Sequence, residues 1–316
     1  MANLNYIFRQ FNDELSVTDS KKSKMINSRE HLREKIRKSF EQNHKSYSPK
    51  FYIQGSYKLK TLIRTKDDTC DLDDGVYFSS NPDNVAGTTL QKWVKDAVEE
   101  TTDATPTHKR KCIRVDYTAG YNIDLPVMVF DENTDNHPLL AVKNSDFQVD
   151  DPKEFVDYFK DNKTDQMVRI IKYLKAWCDH KRAEMPCGLV MTVLSLKYFQ
   201  GNDRDDVALK YILIEIEKHL KKDFKCIMPT TPKDNLFADY SEEKKKNFMD
   251  NLSSFIEDAK KAIDEPNHQK ASKLWRKHLG ERFPLGEDKS DENSKSLIKA
   301  IGASKPYYYG SKQWDF

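Results

Sequence analysis

Between residues 22 and 43, apolar side chains recur at Met25, Leu32, Ile36 and Phe40 among Lys, Arg and Glu, close to a helical period. The spacing predicts one long amphipathic helix. After "SYSPK" the texture changes to short extended runs: Phe51 to Gln54, then "CDLDDGVYF". A loop near residue 84 precedes "TTLQKWVKDAVEE", which puts Leu90, Trp93, Val94 and Val98 on one helical face. The stretch "CIRVDYTAGYNIDLPVMVF" breaks at Ala119-Gly120 into two strand-like runs, the pattern of a hairpin. From Asp151 onward the period is helical throughout, with Asp151 as N-cap and Pro152 at the first helical position of "DPKEFVDYF". "TDQMVRIIKYLKAWCDHK" gathers Met167, Ile170, Ile171, Leu174 and Trp177 on one face, and "CGLVMTVLSLKYF", apolar nearly all round, reads as a central buried helix. The chain therefore divides into a mixed α/β part, 1–150, and an all-helical part, 151–316.

One strand does not fit a simple core role. "CDLDDGVYF" carries Asp71, Asp73 and Asp74 inside an apolar run. Side chains at i and i+2 share a face, so Asp71 and Asp73 converge while Asp74 points away, toward a capping or pairing role. Two carboxylates held close repel unless a cation lies between them. Oxygen-only ligation favours Mg²⁺ held by one or two carboxylates plus substrate phosphates. Asp124, in "YNIDLPV", is a third acid in an apolar strand. A calcium loop is excluded, because Gly75 falls at the fifth position from Asp71 and no Glu closes the loop. A DxD taken alone is as compatible with solvated acids on an edge strand. Upstream, "QGSYK" joins the preceding strand to a helix start, where Gly-Ser exposes backbone N–H groups and a hydroxyl suited to phosphate.

Charge and composition narrow the remaining classes. Lys and Arg number 53 against 51 Asp and Glu, so the net charge of +2 gives no push toward nucleic acid or a membrane surface. With 16 Phe, 15 Tyr and 4 Trp, the chain can build a core and is not compositionally disordered. No run approaches the roughly 20 apolar residues of a membrane span, and nothing resembles a signal peptide. The five cysteines form no CxxC pair and make no zinc-like cluster with the eight histidines, which suits reduced thiols in a cytoplasm. The basic run Lys109, Arg110, Lys111 and Arg114 reads as a solvated turn, so no nucleic-acid activator is indicated.

Gly-Ser, then a DxD, then a lone strand Asp before "LPV" resembles the polymerase-β-type nucleotidyltransferases. "DLDDGVYF", "IDLPV" and "WRKHLGERFP" together resemble the cGAS/DncV-like nucleotidyltransferases (CD-NTases) of bacterial anti-phage (CBASS) defence, over most of the chain. The resemblance implies an α+β, bilobed polymerase-β-like fold: a mixed-sheet core lobe and a helical lobe, joined by a long N-terminal spine helix, with the active site in the cleft. It implies synthesis of a cyclic di- or trinucleotide second messenger from nucleoside triphosphates, ATP and GTP first and pyrimidine nucleotides also, with two Mg²⁺ or Mn²⁺ ions. Asp71, Asp73 and Asp124 are then the catalytic, metal-binding acids. Nucleotide binding falls to Gln54, Gly55, Ser56, Tyr57, Lys172 and Cys187, with Gly55 and Ser56 on the β- and γ-phosphates and Lys172 on the triphosphate. Cys187 stands where relatives often carry a serine; it offers no hydroxyl and reads as a small buried residue. For Arg169 and Lys172 a solvated helix face is the competing reading, and for Tyr57 it is packing. The implied partners are a downstream effector reached through the cyclic product and CBASS accessory proteins at the C-terminus, in a bacterial cytoplasm and without a membrane. Two alternatives stay open: nucleotide transfer to RNA or protein, and a catalytically silent nucleotide-sensing scaffold.

Overall fold

The computed structural model describes residues 1–133 and 136–291. The C-terminal end, where the resemblance places accessory proteins, lies outside the described residues. In chain order the elements are α1 (Asn5–Glu14), α2 (Asp19–Asn43), β1 (Pro49–Gln54), α3 (Gly55–Lys58), β2 (Cys70–Phe78), α4 (Gly87–Ala97) and β3 (Thr107–His108). There follow β4 (Ile113–Tyr117), β5 (Tyr121–Leu125), β6 (Val127–Val129), β7 (Leu139–Leu140), β8 (Gln148–Val149) and α5 (Pro152–Asn162). Helices α6 (Asp165–Lys181), α7 (Gly188–Tyr198), α8 (Asp205–Lys222), α9 (Glu242–Asp264) and α10 (His268–Leu279) complete the described chain.

The chain forms two compact units, divided elsewhere than at residue 150. Among the described residues, one contains 17–161 and 228–234; the other contains 1–16, 162–227 and 235–291. Packing accounts for both shifts. Phe8 and Phe11 of α1 meet Tyr173 and Phe283 at ring-centroid distances of 5.0–5.7 Å, so the first residues fold with the helices. Helix α5 instead stays with the sheet, where the Lys153 ammonium sits 3.4 Å from the centroid of Tyr52.

In the sheet unit, β2 is the pivot. It pairs antiparallel with β1 on one edge, and on the other runs parallel first to β5 and then to β6. Pro126 separates these two partners, and its carbonyl accepts a hydrogen bond from the Val76 amide at 2.8 Å. Beyond β5 lie β4 and β3; beyond β6 lie β7 and β8. The long N-terminal helix predicted from periodicity is α2, started by a Thr18 cap that accepts from the Lys21 amide. Its Met25, Leu32, Ile36 and Phe40 are fully buried in one cluster with Leu72, Val76 and Phe78 of β2 and Leu90 and Val94 of α4.

Asp74 belongs to that buried face, and its cost is met by α2. Arg33 clamps it with Nε–Oδ2 2.7 Å and Nη2–Oδ1 2.6 Å, while the Asp74 side chain has no solvent exposure. Burial pushes the Asp74 carboxyl upward, and the arginine fork only partly offsets it. Truncating one partner of such a buried pair strands the other charge. Asp74→Ala is therefore expected to destabilise the protein by about 3–5 kcal/mol, read in thermal unfolding as a fall of roughly 10 °C. A fall of no more than about 2 °C would mean that the pair is not under strain of burial at all.

The other unit is helical. Its core includes Trp177, Trp275, Phe248 and Phe255, all less than 2% exposed. Arg169, for which a solvated face was the competing reading, instead forms a two-pronged pair with the fully buried Asp205, Nε–Oδ2 2.7 Å and Nη2–Oδ1 2.9 Å. No described helix is long and apolar enough to cross a membrane.

Candidate active site

The alternation along β2 sorts its residues into two functions. Cys70, Leu72, Asp74, Val76 and Phe78 are buried on the helix-packed face. Asp71 and Asp73 project from the opposite face, as the period-2 pattern predicts. Strand register then draws residues from four strands into line. Gln54 of β1 pairs with Asp73, Asp73 with Asp124 of β5, and Asp124 with Arg114 of β4. Directly paired residues share a face, so these four side chains leave the sheet on one side. One step along, Asp71 pairs with Asn122, which pairs with Asp116.

The chain leaves β1 through Gly55 into the single turn of α3. Gly55 adopts φ +62°, and a Cβ there would lie 1.9 Å from Asp73 Oδ2. Only glycine lets the backbone approach that carboxylate. Ser56 follows at once, half-buried, with its carbonyl accepting from the Thr61 amide at 2.9 Å. Tyr57 is partly buried against the main sheet cluster, which fixes it by packing. The Gln54 amide oxygen accepts from the Tyr77 hydroxyl at 3.4 Å.

The acids are held by neighbours on the same sheet. Arg114 donates to both oxygens of Asp124, Nε–Oδ1 2.7 Å and Nη2–Oδ2 2.6 Å. Its Nη2 also reaches Asp71 Oδ1 at 3.2 Å, and Asn122 Nδ2 donates to that same oxygen at 3.0 Å. Its hydrogen bonds to Asp124, against the cost of burial, hold the Arg114 guanidinium well above its usual pKa. Arg114 is thus no member of a solvated turn, contrary to the reading of its basic run. The missed signal was the hairpin itself: a turn centred on Ala119 puts position 114 opposite position 124.

The segment carrying this geometry, residues 49–128, matches the family model described as cyclic GMP-AMP synthase DncV-like, nucleotidyltransferase domain. Over residues 49–128 the chain is similar to a DncV-like nucleotidyltransferase domain. Gln54, Gly55, Ser56, Tyr57, Asp71, Asp73, Arg114 and Asp124 all lie within the DncV-like segment. A protein of Escherichia albertii named cyclic GMP-AMP synthase is 27% identical over 227 residues, 66% of this chain and 48% of that one. The match thus spans about half the length of that relative. Vibrio cholerae DncV in its GTP bound form is similar at TM-score 0.79 and 16% identity, over 89% of this chain and 96% of that one. Vibrio cholerae DncV in complex with the linear intermediate 5′ pppA(3′,5′)pG gives TM-score 0.76 at 18% identity, over 90% and 99%. The α+β fold is that of the DncV nucleotidyltransferases.

Two residues expected at the nucleotide lie outside the DncV-like segment, in the helical unit. Lys172 is half-buried on α6. Cys187 is exposed at the N-cap of α7, not buried as expected, because the helix starts only at the following glycine. A further group could hold a metal ion: one ligand atom each from His137, Asp151 and Glu154 lie within 4.8 Å of one another. These atoms also serve the fold. His137 Nδ1 is 3.0 Å from Asp151 Oδ2, and Glu154 Oε2 accepts from the Thr231 amide at 3.0 Å. Asp151 Oδ1 accepts from the Glu154 amide at 2.9 Å, the predicted cap of α5.

Proposed function

We propose that this protein is a metal-dependent nucleotidyltransferase that joins nucleoside triphosphates into a cyclic di- or trinucleotide second messenger. The observation that carries the reading is the line Gln54–Asp73–Asp124 across three strands, with Gly55 closed against Asp73. The donor set fits Mg²⁺ or Mn²⁺: hard carboxylate oxygens on one face, already visited by a cation, the Arg114 guanidinium. Bound there, divalent ions would offset charge on the transferring phosphoryl group and acidify the attacking hydroxyl.

The residues of the chain then divide the work. Asp71 and Asp73 hold the metal side of the donor triphosphate, and Asp124 orients the acceptor's ribose hydroxyl. The Gly55 backbone and Ser56 hydroxyl fasten the β- and γ-phosphates, so that pyrophosphate leaves in line with the attack. Lys172 supplies positive charge to the triphosphate. Tyr57, partly buried against the sheet cluster, fixes the turn and offers its remaining face to a base. A second round uses the linear product's own triphosphate and closes the ring; the solved relative with a linear intermediate makes this order natural. The product would act on a downstream effector in anti-phage defence within a bacterial cytoplasm, with accessory proteins acting on the C-terminus.

The test is incubation with all four ribonucleoside triphosphates and Mg²⁺ or Mn²⁺, read by mass spectrometry. Phosphatase-resistant cyclic products containing adenine or guanine are expected. Labelled RNA or protein in their place would make the enzyme a macromolecule modifier. No consumption of any triphosphate would leave only a nucleotide-sensing scaffold.

A further inference from the structure

The chemistry of the acid cluster does not require an arginine on the strand next to Asp124. Arg114 nevertheless occupies both oxygens of Asp124 and one of Asp71. A divalent ion on those oxygens would repel the guanidinium and draw on the same carboxylate charge, so the two cations compete for the site. Asp71 has a second holder in Asn122, which would keep it in place after the arginine leaves. Both oxygens of Asp124 accept from Arg114, so the exchange is concentrated there.

We infer that Arg114 is a resident counter-cation that occupies the metal-binding acids until a metal-bound triphosphate displaces it. The inference rests on the assignment of Asp71, Asp73 and Asp124 as metal ligands. Arg114 is a positioning residue in this scheme. It neutralises two converging carboxylates in the metal-free protein and lowers their affinity for a bare ion. A triphosphate offers the released guanidinium a new partner, since Arg recognises phosphate as well as carboxylate through its planar fork. Metal and nucleotide would then bind cooperatively, and the protein would not sequester divalent ions in the absence of substrate.

The experiment is a Mn²⁺ titration of the whole protein, followed by electron paramagnetic resonance, with and without a non-hydrolysable ATP or GTP analogue. Arg114→Gln is expected to tighten Mn²⁺ binding without nucleotide by about tenfold, because a competing cation is gone. It is also expected to shrink the gain in Mn²⁺ affinity that the analogue gives the wild type. Arg114→Lys keeps the charge but not the fork, so its affinity should fall between the two; it also serves if Arg114→Gln folds poorly. Unchanged or weaker Mn²⁺ binding in both variants overturns the inference. Asp71→Ala with Asp73→Ala separates the two readings. If that variant loses Mn²⁺ binding while the Arg114 variants leave it unchanged, only the role of Arg114 fails. If it binds Mn²⁺ as the wild type does, the metal assignment fails with it.

Discussion

Asp71→Ala combined with Asp73→Ala is expected to cut triphosphate consumption by at least about 1,000-fold, with thermal unfolding shifted by only a few degrees. The split follows from where the acids sit. Both project from the face of β2 opposite its buried core, and the Asp71 side chain is 51% exposed. Their removal empties no cavity and strands no fully buried partner, so the large-effect mechanisms of destabilisation do not operate. Chemistry, by contrast, loses the charges that would hold divalent ions at the donor phosphates. Asp71→Asn is the sharper companion variant: it keeps shape and hydrogen bonding but not the negative charge. Activity surviving in the double variant would remove Asp71 and Asp73 from the mechanism and, with them, the reading of this face as catalytic.

Gly55→Ala should be nearly as damaging, through geometry rather than charge. Its Cβ would meet Asp73 Oδ2 at 1.9 Å and Asp73 Cγ at 2.7 Å, far inside contact distance. The residue must also hold φ +62°, which costs a side-chain-bearing residue about 1–2 kcal/mol. Either Asp73 swings away or the turn moves, and a displacement near 1 Å at reacting groups costs about 100-fold in rate. A 100-fold or greater loss of activity is expected, with far-UV circular dichroism unchanged. Wild-type turnover in this variant would show that neither the turn nor the Asp73 position is critical.

Much of this was readable before any coordinates. "CDLDDGVYF" is β2 residue for residue, because a strand buried on one face must alternate. The break at Ala119-Gly120 and the cap at Asp151 were legible for the same reason: their chemistry is local. What escaped depends on partners distant in sequence. Helix α1 is short, and its Phe8 and Phe11 are explained by Tyr173 and Phe283, which no nearby pattern announces. Arg169 looked like a surface residue until Asp205, 36 positions away, supplied a buried partner. Arg114 hid in a basic run because charge composition was weighed without the strand pairing that faces it with Asp124.

The two-sided nature of β2 also constrains how its gene segment can change. One reading frame of side chains, Cys70, Leu72, Asp74, Val76 and Phe78, faces the helices, and the other presents Asp71 and Asp73. Deleting or inserting a single codon within 70–78 would exchange the two sets beyond that point. Leu72 would take the place of a carboxylate on the acid face, and an aspartate would enter the core where leucine now packs. The segment can therefore drift by substitution at some positions but not by a change in length, and its nine-residue span matters as much to the candidate site as the acids it carries.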